Sequence, residues 1–108
     1  MIDFSNDSVF KLKKVDSTKF NSEMSNILID DEHVVGCYQD VRDHVVFTNK
    51  RVIAVNVQGI TGKKKDFTSM PYSKIQVYSV ETSGVFDLDS ELELWFSGVG
   101  KVKFEFTS

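Results

Sequence analysis

From residue 33 onward, apolar and polar residues alternate with a period of two. In the last segment Val102, Phe104 and Phe106 alternate with Lys101, Lys103 and Glu105, the pattern of a strand with one core face and one wet face. Leu92, Leu94 and Phe96 alternate in the same way with Glu91, Glu93 and Trp95, and Ser97-Gly98-Val99-Gly100 supplies the turn of a hairpin between the two segments. A second hairpin is predicted around Asn49-Lys50, with Val45 and Phe47 facing inward and Ile53, Val55 and Val57 lining the return. Further strands fall at 33–39, 65–70 and 75–82, separated by a turn at 40–43, a loop at 58–62 and the single proline, Pro71. Seven short strands with almost no helix between them predict a mainly β fold, an antiparallel barrel or sandwich.

The exception is the stretch 16–28, where Phe20, Met24, Ile27 and Leu28 fall on one face of a helix. Asp16 or Ser17 can cap its start, and Asp30-Asp31-Glu32 reads as its exit loop. Residues 1–30 are therefore expected to form an N-terminal segment carrying an amphipathic helix, in one domain with a barrel over 31–108. A chain of 108 residues is near the commonest domain size and can bury roughly two-thirds of its unfolded surface.

Composition narrows the function classes. No stretch approaches the 18 apolar residues of a membrane-spanning helix, and the acidic N-terminus lacks a signal-length apolar run. The lone Cys37 cannot form an internal disulfide, which fits a reducing cytoplasm. With 16 acidic against 13 basic residues the net charge is −3, so the chain as a whole repels nucleic acid and anionic lipid. Local exceptions are Lys63-Lys64-Lys65 and the looser cluster of Lys11, Lys13 and Lys14.

The succession Arg42-Asp43, Phe47-Thr48-Asn49-Lys50-Arg51-Val52-Ile53, Gln58-Gly59-Ile60-Thr61-Gly62-Lys63-Lys64, Pro71-Tyr72 and the run from Ser79 to Leu92 resembles the bacterial pleckstrin-homology-like domain family over about residues 27–106. The resemblance implies a seven-stranded, strongly bent antiparallel barrel, normally closed at one end by a C-terminal helix. It implies no enzyme activity and no cofactor. Single-domain members associate into cyclic homo-oligomers, a five-fold ring being the first expectation, with a polar surface where the barrels join. The sequence stops at Phe106-Thr107-Ser108, without room for that helix. Helix 16–28 or a neighbouring subunit is therefore expected to cover the open end.

Individual motifs carry little chemistry of their own. Gly59-Ile60-Thr61-Gly62-Lys63-Lys64 has two residues between its glycines where a phosphate loop needs four, and a strand follows instead of a helix. The loop with Lys63, Lys64 and Lys65 remains a candidate anion or phospholipid head-group site. Asp87, Asp89 and Glu91 alternate as calcium ligands might be arranged, yet the sixth position of such a loop is Leu92 rather than glycine, and no metal is expected. His33, Cys37 and His44 match no zinc spacing, and no serine or cysteine has a recognisable base nearby in sequence. Trp95 shares a face with Glu91 and Glu93, so it points away from the core and becomes an interface candidate with Tyr38, Tyr72 and Tyr78. The expected function is a non-catalytic, homo-oligomeric interaction or scaffold module that docks an unidentified protein. The alternative is recognition of an anion or phospholipid head group by the 59–65 loop.

Overall fold

The computed structural model describes residues 2–4, 8–82 and 89–107. Among these, eight strands form one sheet: β1 (Ser8–Val15), β2 (Val34–Gln39), β3 (His44–Thr48), β4 (Arg51–Gln58), β5 (Lys64–Pro71), β6 (Ile75–Thr82), β7 (Ser90–Phe96) and β8 (Gly100–Thr107). Their order is β5-β4-β3-β2-β1-β8-β7-β6, with β5 and β6 as the two edges. The sheet curls on itself, because β1, β3, β4, β5, β7 and β8 all contribute to one buried cluster built on Leu12, Val45, Val52, Met70, Leu94, Val102 and Phe104.

Eight strands replace the seven expected, and the addition is β1. Its first part runs parallel to β8, from Ser8 opposite Val102 to Lys13 opposite Thr107, while Lys13 to Val15 pair antiparallel with β2. The barrel is therefore mixed, not purely antiparallel. Phe10 and Leu12 explain the insertion: Leu12 is fully buried, and Phe10 stacks on Phe104 at 5.6 Å. Together they fill the space between two strands that are otherwise unpaired.

The predicted helix is shorter than its apolar spacing suggests. Only α1 (Asn21–Met24) is α-helical, flanked by turns in which Lys19 donates to the Asp16 carbonyl and Asn21 to that of Thr18. The Asp16 carboxylate accepts from the Thr18 N–H at 2.8 Å and opens the first turn. The intervening Ser, Thr and Asn side chains favour such local bonds over a long helix.

Nor does this segment cover the barrel's open end. Phe20, Met24, Ile27 and Leu28 pack on the outer face of β2–β5, against Cys37, Val46, Ile53 and Val55. That corrects the second predicted hairpin as well. Val45 and Phe47 stand opposite Ala54 and Val52, whereas Ile53 and Val55 point the other way, into this second cluster. β4 is buried on both faces, which is why Val52-Ile53-Ala54-Val55 reads as an unbroken apolar run.

One barrel end is plugged by the N-terminal residues. Ile2 is buried in the main core and its N–H donates to Thr68 Oγ1, while Phe4 meets Phe96 edge-on at 5.8 Å. The plug needs Gly100, whose φ is +139° and whose added Cβ would lie 2.6 Å from the Phe4 carbonyl oxygen. Gly100→Ala should therefore lower stability by about 2 kcal/mol, from the strained φ together with displacement of Phe4. Urea unfolding of the two proteins side by side measures the loss; an unchanged midpoint would mean that the N-terminal plug contributes nothing.

Candidate interaction surface

The other end of the barrel is open, and its rim is aromatic. Tyr38, on β2, meets Phe106 at 4.9 Å and Phe47 at 5.6 Å, both edge-on. Tyr72 follows Pro71 in a single 3-10 turn (Tyr72–Lys74) between β5 and β6, and its hydroxyl donates to the Thr48 carbonyl at 2.6 Å. Burial, with the Glu32 carboxylate nearby, raises the Tyr72 phenol above its usual range. Two adjoining hollows of about 400 and 310 Å³ share Phe47, Tyr72 and Leu92; Tyr78 closes one side and Lys14 with Val35 the other. No acidic residue lines either hollow.

The hollows open onto β6, where Tyr78 stands opposite Leu94 and Val80 opposite Leu92, on the face that forms the core elsewhere. They remain 70% and 63% exposed, and Val77 on the reverse face is 54% exposed. An apolar strip of this kind at a sheet edge is unusual for a surface meant to stay in water.

The three candidate tyrosines thus converge on one groove. Trp95 does not join them: it lies half-buried on the outer face of β7, opposite Lys101, whose ammonium sits 5.6 Å from the indole. Around it the outer face is charged, with Lys101 near Glu93 at 3.4 Å and Lys103 near Glu91 at 3.2 Å. Sequence reasoning assigns Phe47, Leu92 and Phe106 to the core, where strand alternation does place them; their exposure to the groove depends on how far the sheet curls. Asp87 of the calcium pattern lies outside the described residues, and Glu91 belongs to the ion-pair ladder.

The lysine loop is divided. Lys63 and Lys64 are exposed beside the Gly59–Gly62 turn, whereas Lys65 reaches Glu23 at 2.5 Å. Glu23 also contacts His44 Nε2 at 2.5 Å, and the His44 ring stacks on Phe20 at 3.8 Å. Burial alone would raise the Glu23 carboxyl, but hydrogen bonds and charge from Lys65 and His44 outweigh it and hold the group below its ordinary value. Lys65 thereby fastens α1 to the sheet.

A stronger fastening lies at the turn between β3 and β4. Arg51 clamps the buried Glu32 carboxylate with Nε and Nη2, each at 2.9 Å, and Thr48 Oγ1 donates to it at 2.7 Å. Arg51 also donates to the Ile27 carbonyl, while the Asn49 side chain bonds the Asp31 carbonyl and the His33 N–H. Asp31 takes a positive φ of 62° to make that turn. The Thr48-Asn49-Lys50-Arg51 hairpin is thus a clasp for residues 27–33, and it supports the groove from behind through the Thr48 carbonyl that receives Tyr72.

A bent sheet holding two apolar clusters, with that clasp at its first hairpin, matches known proteins. The sequence profile of the family described as Bacterial PH domain matches residues 3–108. The chain belongs to the bacterial PH domain family. This PH domain is similar to the uncharacterized Bacillus subtilis protein YjqA, 55% identical over 76 residues that make up 70% of this chain and 61% of YjqA. It is also similar to YozO of the same organism, 31% identical over 67% of this chain and 62% of YozO. The chain thus spans about three-fifths of the length of these curated relatives. A crystal structure of a protein with a pleckstrin-homology domain from Shewanella loihica superposes with a TM-score of 0.67 at 43% identity, covering 82% of this chain and 76% of that one. A pleckstrin-homology domain from Shewanella amazonensis gives 0.62 at 47% identity, covering 84% and 74%. Among the described residues no helix is long and apolar enough to cross a membrane, and no three His, Cys, Asp or Glu side chains gather as a metal site.

Proposed function

We propose that this PH domain is a non-catalytic assembly module whose open groove and apolar edge are covered by another copy of the chain. The observation that carries the reading is the exposure of Tyr78 and Val80 on the core-forming face, contiguous with the hollows of Phe47, Tyr72 and Leu92. An apolar surface continuous with a core is stabilised when a partner removes it from water, at roughly 25 cal/mol per Å² of apolar area. The groove holds no cluster of titratable side chains that could move protons, which fits binding better than catalysis.

Light scattering of purified protein across a dilution series tests the proposal. A mass that is a multiple of 12.3 kDa and falls on dilution is expected. A monomer at every concentration would overturn it.

A further inference from the structure

The two borders of the sheet are unlike each other, and the difference specifies how copies meet. β5 is guarded: Lys64 and Lys65 stand at one end, Pro71 at the other, and Ile2 and Phe4 lie beside its middle. Lysine, proline and a covering segment are devices that keep a strand edge from pairing. β6 has none of them. Over Ile75–Thr82 it is a full-length strand without proline or lysine, its only charge is Glu81, and it is exposed from Gln76 onward. Its free side presents unpaired backbone N–H and C=O groups.

We infer that β6 pairs antiparallel with β6 of a second copy, joining two sheets about a two-fold axis at Ser79. The inference rests on the assembly reading above and specifies its contact. Head-to-tail growth would require β6 to displace Ile2 and Phe4 from β5, where Ile2 is buried, so bare edge against bare edge is the accessible pairing.

The side chains select the register. Residues directly opposite across an antiparallel pair share a face, so the residue numbers of each pair must sum to an even value. With Ser79 opposite Ser79 of the second copy, Tyr78 faces Val80 on the groove side, an aromatic against a β-branched residue, and this occurs twice. On the outer face Glu81 falls opposite Val77, so the two Glu81 carboxylates stay apart. Shifting the axis to Tyr78 loses both aromatic–aliphatic pairs, and shifting it to Val80 sets Tyr78 against the polar Thr82. The Tyr78 and Val80 pairs then lie over the mouths of the two grooves, which neither copy closes alone.

Cysteine trapping and mass measurement test this together. Under a mild oxidant, Ser79→Cys should cross-link into a covalent dimer. Glu81→Cys, whose two copies lie four residues apart along the ladder, should not; the native Cys37 is buried and does not compete. Val80→Lys should bring the mass from about twice 12.3 kDa to 12.3 kDa at micromolar concentration while leaving the circular dichroism spectrum unchanged, since Val80 is an exposed position in the monomer. A larger oligomer that is indifferent to Val80→Lys and untrapped by Ser79→Cys would overturn the β6 pairing but leave self-assembly standing. A wild-type monomer would overturn both, and one that instead bound an extended peptide along β6 would identify the edge as a receptor for other chains.

Discussion

Arg51→Met should cost about 3–5 kcal/mol of unfolding free energy, the largest single loss expected outside the hydrophobic core. The reason is what the substitution leaves behind. Glu32 is buried and receives four donors: two from Arg51, one from the Thr48 hydroxyl and one from the Ile29 N–H at 3.1 Å. Removing the guanidinium strands a carboxylate that has no water to turn to, and it also frees the Ile27 carbonyl. The double variant Glu32→Leu with Arg51→Met should be more stable than Arg51→Met alone, because the isolated charge is gone. Denaturant unfolding of the single and double variants decides the matter. A loss under about 1 kcal/mol for Arg51→Met would mean that the clasp behaves like a surface ion pair.

Acid should expose the same clasp. The Arg51 hydrogen bonds, assisted by Thr48 and the Ile29 N–H against the opposing effect of burial, bring the Glu32 carboxyl down from 4.5 to about 2. A carboxyl with a depressed folded-state value binds its proton more readily when unfolded, so its contribution is complete above pH 4.5 and disappears as pH falls toward 2. At 1.36 kcal/mol per unit this amounts to about 3 kcal/mol from one side chain. Urea midpoints followed from pH 6 to pH 2 should fall through that window. In Glu32→Gln the fall should be smaller by about that amount, whereas an identical slope in the two proteins would place the acid sensitivity elsewhere.

Most of the sheet is legible in the sequence because one physical rule governs it. From β2 to β8 each strand presents alternate residues to the core, and glycine, asparagine or proline marks the connections. The rule fails where a second apolar surface is present. β4 is covered on both faces, so Ile53 and Val55 cannot be assigned to a side by alternation. β1 hides for another reason: Phe10 and Leu12 do alternate with Lys11 and Lys13, but the strand's place between β2 and β8 depends on a partner near the far end of the chain. In the stretch 16–28, the spacing of Phe20, Met24, Ile27 and Leu28 satisfies a helix, while the serines, threonine and asparagines between them turn the backbone instead.

The groove is less legible than the sheet. That Tyr38, Tyr72 and Tyr78 are aromatic candidates is plain from the sequence, but their meeting depends on sheet curvature, which no local pattern encodes. Trp95 shows the converse, since alternation alone places it outside. Glu32 is hidden altogether: it sits in an acidic run that reads as solvated loop, and its partners Thr48 and Arg51 come one hairpin later.

The parallel seam between β1 and β8 bears on how the molecule comes into being. Ser8 stands opposite Val102, almost the whole chain away, so the first strand to leave a ribosome must wait for the last before its hydrogen bonds can form. Joining such distant segments carries a large loop-closure entropy and belongs with the slow steps of folding. In the meantime Phe10 and Leu12 have no shelter, which makes the nascent chain most vulnerable to aggregation just before synthesis ends.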